Sequence, residues 1–279
     1  MKFTIIADSA CDLKSSDLVG ENFEFVTIPI PIVIDGDLIT DDESFDTKEL
    51  ITILKASKNF KTSCPPPDAF LQEMRDKDNI FVVTISSGIS GTYNSARLAA
   101  EMLKEEFPDK KIFVLDSLSA TSGQTLILDM LKSLIESELS FEEIEKRITE
   151  FRDTVSVRFV VQDLGNLIKT GRMSKLTGKI CSILTIRLIC GDNGKGEIKV
   201  HNKSIGQRRA LIDLIKMPFE KLKDKKDSPI IITHCQNEEE ALFIKEKLMS
   251  KYGFSNIRIY AMRGIASLFA NEKGLALSY

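Results

Sequence analysis

Three short stretches hold the residues with chemistry to offer: "KTSCPPP" with Thr62 and Ser63, "TISSGISG" with Ser86, Ser87 and Ser90, and "LDSLSATSG" with Ser117, Ser119, Thr121 and Ser122. Each reads as the end of a strand. The clearest is the second, where the apolar run Phe81 to Ile85 precedes it and helical spacing from Thr92 through Ala96, Ala99, Ala100 and Leu103 follows it. Strand ends of a parallel sheet converge on one edge, where unpaired N–H groups and helix dipoles favour an anion. A phosphate, the oxyanion of an acyl transfer and a carboxylate all fit such loops. Taken singly, each hydroxyl also reads as an ordinary helix N-cap.

The three anions ask for different company. A phosphate cradle needs G-x-x-x-x-G-K-[ST], or G-x-G-x-x-G with an acid downstream, and neither occurs. Nucleophilic catalysis needs a G-x-S-x-G elbow and a histidine held by a carboxylate. Ser90 sits in "GISG", one residue short of that elbow, and His201 and His234 lie far down the chain. Hydrolysis through Ser87 or Ser90 is thus the weaker, enzymatic alternative. A carboxylate asks only for hydroxyls, amides and one cation. Arg172 in "LIKTGRMSK" can supply that cation, because Gly171 before it offers a left-handed stop that turns the arginine back toward the sheet. Its other role is an ion pair at a helix end.

The elements that must position these loops follow an α/β grammar. "FTIIAD" is a strand leading into a helix opened by Asp12, and "FEFVTIPIPIVI" is extended, with Pro29 and Pro31 confining it to a sheet edge. Asp46 and Glu49 form a capping box for "TKELITILKAS", and Pro67 suits a first helical turn. "NIFVVTIS", "TYNSARLAAEMLKEEF", "KIFVLDS" and "ATSGQTLILDMLKSLIESE" continue the alternation. The first half is therefore a parallel sheet with helices on both faces, over residues 1–153.

Past the helix "FEEIEKRITEFRDTV" the order becomes mixed. "SVRFVVQD" is a strand, and "LGNLIKTGRMSKLTGKICSIL" carries a short helix, a Gly-Arg junction and a second helix. "TIRLIC" and "EIKVHNKSI" flank the turn "GDNGKG", which signals a hairpin. "RRALIDLIKMPFEKL" is helical, "PIIITHCQ" a strand, "NEEEALFIKEKLMSKYG" a helix with glycine past its end, and "NIRIYAM" a strand. These predict a second, mixed α/β (α+β) domain over 154–279.

Composition narrows the function classes. The chain has 279 residues, 43% hydrophobic and 28% charged, as a folded globular protein has. A net charge of -3 argues against a nucleic-acid surface, and the longest basic run, "KLKDKKD", is interrupted by aspartates. No apolar run approaches the ~18–20 residues of a membrane span. "MKFTIIADSACD" lacks the apolar core of a signal peptide, so a cytoplasmic location is expected. The five cysteines are scattered and read as reduced thiols, and without H-E-x-x-H or C-x-x-C no metal site and no cofactor is expected.

Taken together, these stretches resemble the DegV family of fatty-acid-binding proteins. "ADSACDL" is similar to the family's "TDSTADL", "TSCPPPDAF" to "TSQPSPGEF", "ISSGISGTYNSA" to "SSGLSGTYQSA", "VLDSLSATSG" to "VIDSKSASMG", and "LIKTGRMSK" to "LKKGGRISK". The resemblance implies a two-domain protein that holds a long-chain fatty acid such as palmitate in an apolar tunnel and performs no chemistry itself. It places the carboxylate on Thr62, Ser63 and Ser87, with Arg172 nearby. It also implies a partner, a fatty acid kinase subunit that phosphorylates the presented carboxylate. Two positions depart from the pattern. Phe269 stands where the family has a head-group histidine, which predicts a looser head-group site. Ile205 replaces an arginine associated with kinase docking, which predicts weakened delivery to that partner. A regulatory or interaction protein without a lipid is the remaining alternative.

Overall fold

The computed structural model describes residues 2–173 and 186–279. Two sheets divide the chain, one built from residues 3–116 and the other from 157–278. The first has the order β2-β1-β6-β7, all parallel, with β1 Phe3–Asp8, β2 Phe23–Ile28, β6 Asn79–Thr84 and β7 Lys111–Asp116. Adjacent residues of a strand face opposite sides. Ile6, Ile80 and Val82 thus meet α2 (Pro67–Met74) and α3 (Thr92–Glu106), while Ile5, Phe81 and Val83 meet α4 (Ser122–Glu136) and α5 (Phe141–Arg152). Burial on both faces is why these strands read as unbroken apolar runs.

Asp12, expected to open a helix, instead follows a 3-10 turn over Ser9–Cys11 and adopts φ 61°. Its side chain points inward and accepts the Arg263 N–H at 2.9 Å, so it is not free to cap a helix, and Asp8 caps the turn through Ala10 N at 3.1 Å. Pro29 and Pro31 fall between the edge strand β2 and a small antiparallel sheet of β3 (Ile32–Ile34), β4 (Asp37–Ile39) and β5 (Phe60–Thr62). Between β4 and β5, Asp46 caps α1 (Thr47–Ala56) by accepting from Lys48 N at 2.8 Å.

The second sheet has the order β10-β9-β8-β13-β11-β12 and is mixed. Its strands are β8 Val157–Val160, β9 Ile186–Asp192, β10 Ile198–Ile205, β11 Ile230–His234, β12 Ile257–Ala261 and β13 Leu275–Ser278. β11 and β12 run parallel, and the other pairings are antiparallel, including the expected β9–β10 hairpin. One face is covered by α7 (Gln207–Leu222) and α8 (Glu238–Tyr252), which pack Leu211, Leu214, Ile244 and Leu248 onto Ile232 and Leu277. The other face carries Phe159, Cys190 and Ala276 toward the first sheet, beside α6 (Gly165–Lys169) and α9 (Gly264–Ala270). The second helix expected after Arg172 lies outside the described residues, as does Cys181. Neither α9 nor β13 was expected from the sequence.

Candidate functional site

Between the two sheets lies an apolar cavity with about 140 Å³ of room for water-molecule centres. That is roughly ten times the ~10–15 Å³ that a single buried water requires. The first sheet's loops supply Ile30, Ile85 and Ile89, the second sheet supplies Phe159, Ile198 and Ala276, and α9 supplies Ile265 and Ala266. Small residues at Ala266, Ala270 and Ala276 leave the space that larger ones would fill.

Polar residues border this void from both halves of the chain, Asp192 and Glu197 of the β9–β10 hairpin among them. Thr62 and Ser63 line it from the end of β5, Ser90 from the loop after β6, Ser119 and Thr121 from the loop before α4, and Arg172 from beyond α6. The first two loops abut, because a Cβ on Gly91 would stand 3.2 Å from Cys64 Sγ. Arg172 is fixed by its own geometry: Nε donates to Ile89 O at 3.3 Å, Nη1 to Thr170 O at 3.0 Å, and the guanidinium lies 5.8 Å from the centre of the Phe269 ring. Gly171 has the expected left-handed backbone, φ 76°.

Of the four binding positions named from the sequence, Thr62, Ser63 and Arg172 border the cavity. Ser87 is exposed and outside its wall; its N–H donates to Asp116 Oδ1 at 3.0 Å. The serine of that loop that does line the cavity is Ser90, three residues on, with its hydroxyl 2.8 Å from Thr92 Oγ1. His234 Nδ1 accepts from Asn237 N, and His201 Nε2 lies 2.8 Å from Asp192 O. Among the described residues neither histidine hydrogen-bonds to a serine of the loop. No described helix is long and apolar enough to cross a membrane.

Behind α9 runs a buried charged network that sequence reasoning missed. Asp41 accepts from Gly264 N at 2.8 Å and Ile265 N at 2.9 Å, holding the first turn of α9 from a loop of the first half of the chain. Arg263 donates to Leu13 O and Asp41 O, both at 2.8 Å, and to Thr27 Oγ1 at 3.2 Å. Burial pushes the carboxyls of Asp12 and Asp41 above the usual range. Asp8, which accepts from Ile85 N at 2.6 Å, is pushed up to about 6 by the same desolvation.

This last shift has a measurable sign. The folded-state pKa of Asp8 lies above its ordinary 3.8, so its contribution to stability is full at acid pH and is lost as pH rises through about 6. The loss is on the order of 3 kcal/mol for such a shift. The Asp8 carboxyl carbon resonance is expected to titrate near pH 6, and Asp8→Asn to remove this decline from the stability profile. A midpoint near 4 contradicts it.

Comparison with known proteins gives the family and the fold. The family model described as "Uncharacterised protein, DegV family" matches residues 2–279. A DegV domain-containing protein of Streptococcus pyogenes serotype M18 is 36% identical over 282 residues, covering all of this chain and 99% of the relative. Among solved structures, the Streptococcus pneumoniae fatty acid kinase (Fak) B3 protein loaded with linoleic acid superposes with TM-score 0.92 at 32% identity, covering 100% and 99% of the two chains. A DegV family protein of Eubacterium eligens loaded with heptadecanoic acid gives TM-score 0.90 at 32% identity, covering 99% and 98%.

Proposed function

Because the chain belongs to the DegV family, we propose that it binds one long-chain fatty acid in the cavity between its two sheets and presents the carboxylate without transforming it. The observation that supports this most directly is an apolar void with the hydroxyls of Thr62, Ser63 and Ser90 and the cation of Arg172 in its lining. In this reading Ser90 takes the part that the resemblance gave to Ser87, and Arg172 supplies the cation. Charge-assisted hydrogen bonds at the head are worth roughly 1.5–3 kcal/mol each. Burying about 14 methylenes at roughly 0.8 kcal/mol apiece contributes on the order of 11 kcal/mol before ordering costs. The tail therefore sets affinity and the head sets orientation.

The fatty acids carried by the related structures support the ligand class. A fatty acid kinase subunit is the partner this reading implies, with the protein acting in the cytoplasm. Ile205 is 78% exposed at the end of β10 and offers only an apolar surface there, so docking is expected to be weaker than for a relative with arginine. Native mass spectrometry of the purified protein is expected to show the added mass of one long-chain fatty acid, removed by delipidation and restored by palmitate. A protein that stays ligand-free after incubation with palmitate overturns the proposal.

A further inference from the structure

Phe269 borders the cavity beside Arg172, yet a phenylalanine can form no hydrogen bond with a carboxylate. Its ring is held in place from several directions. It packs against two clusters of the core at once, one with Leu167 and Met173, the other with Ile30, Ile85 and Ile265. The helix that carries it, α9, has its first turn fixed by Asp41 and its last by Asn166, whose Nδ2 donates to Leu268 O at 2.7 Å. Asn166 belongs to α6, and α6 also fixes the backbone of Arg172, since Arg172 N donates to Leu167 O at 2.9 Å. The ring and the arginine therefore ride on one tied unit.

The neighbours of Arg172 leave part of its fork unspent. Nε donates to Ile89 O and Nη1 to Thr170 O, while Nη2 has no partner among the described residues and the ring, 5.8 Å from the guanidinium, takes no hydrogen bond. A carboxylate engages such a fork through two parallel N–H donors. The two carboxylates in the lining have partners of their own. Asp192 Oδ2 accepts from Val157 N at 3.1 Å and Arg158 Nη1 at 2.9 Å, and Glu197 Oε2 accepts from Asn193 Nδ2 at 2.8 Å. Neither is bonded to Arg172, so its charge is left for a ligand. An aromatic face attracts a guanidinium within about 6 Å, and Phe269 thus restrains the cation without consuming a donor. An arginine already held loses less rotamer freedom when a ligand arrives.

We propose that Phe269 is a positioning residue for the head group: its ring backs the Arg172 guanidinium and holds it at the cavity wall, which makes the protein select an ionised carboxylate over a neutral head on the same chain. This rests on the reading that the cavity holds an acyl chain. The test is displacement of cis-parinaric acid, a fluorescent long-chain fatty acid, by myristate and by tetradecan-1-ol, from the full chain and from its Phe269→Leu, Phe269→Tyr and Arg172→Met variants. Removing the ring is expected to weaken myristate binding by about five- to thirtyfold, as loss of a desolvated cation–π contact does, and tetradecan-1-ol binding by less than about twofold. Phe269→Tyr, which keeps the aromatic face, restores most of the loss. On the Arg172→Met background, Phe269→Leu weakens myristate by no more than about twofold, because the group it positions is gone. Equal losses for acid and alcohol overturn the proposal, since a ring that only lines the wall treats both heads alike, and so does a full myristate loss on the Arg172→Met background. Myristate affinity in Phe269→Leu within about twofold of the unmodified protein overturns it as well. If Arg172→Met fails to fold, the ratio of acid to alcohol affinity in Phe269→Leu and Phe269→Tyr decides. Failure of the unmodified protein to bind either ligand is a separate outcome, and overturns the acyl-binding reading on which this one rests.

Discussion

Arg263→Met is expected to lower the unfolding free energy by about 3–5 kcal/mol, the usual result of stripping the cation from buried anions. Arg263 is 5% exposed, and Asp12 and Asp41 are at most 3% exposed beside it. The methionine fills comparable space but removes the guanidinium donors from the carbonyls of Leu13 and Asp41 and the positive charge beside the two carboxyls. Urea unfolding at neutral pH measures the loss. The same variant is expected to recover part of it at acid pH, because protonated aspartates no longer need a countercharge. A loss below about 1 kcal/mol shows that the network is satisfied without the arginine, and that the burial argument is wrong.

Ala276→Phe is expected to weaken palmitate binding by at least about a hundredfold while the fold persists. Ala276 is 2% exposed, sits on the central strand β13 opposite Phe159, and borders the cavity. A strand paired on both sides cannot shift to accommodate a ring, so the ring enters the void and excludes several methylenes at roughly 0.8 kcal/mol each. Overpacking costs about 1–3 kcal/mol at most sites, and an existing void lowers that cost. Isothermal titration with palmitate, beside circular dichroism of the variant, separates loss of the binding space from loss of the fold. Undiminished affinity in a folded variant places the acyl chain somewhere other than this cavity.

How far each part could be read from the sequence depended on what the residues were there to do. The strands flanked by helices announced themselves, because burial on two faces demands runs such as "FVVTI", and helices packed on one face demand a period. α9 and β13 did not. Their sequence, "GIASLFANEKGLALS", is rich in small residues that keep the cavity open, and small residues carry little hydrophobic pattern. β3, β4 and β5 have three residues each, too short for periodicity to register. The loops that line the cavity were legible as hydroxyl clusters at strand ends, but which serine faces inward was not. Ser87 and Ser90 are the same residue type, and only the turn begun by Ile89 N and Ser90 N on Ser86 O decides between them. The acidic network was hidden for the opposite reason. Aspartates and an arginine read as solvated, and their burial follows from contacts between residues more than 200 positions apart, such as Asp12 with Arg263 and Asp41 with Gly264.

The place of β13 bears on how the molecule is made. It lies between β8 and β11, pairing with both, although it follows every other strand in the chain. During synthesis β8 and β9 emerge early and wait with the edge of β8 bare until Leu275–Ser278 appear and close the seam. Until then the cavity between the sheets lacks a side, and the nascent protein exposes the greasy lining it will later enclose. A pause in translation just before this segment is therefore the moment of greatest risk of clumping, and the moment when a chaperone has most to cover.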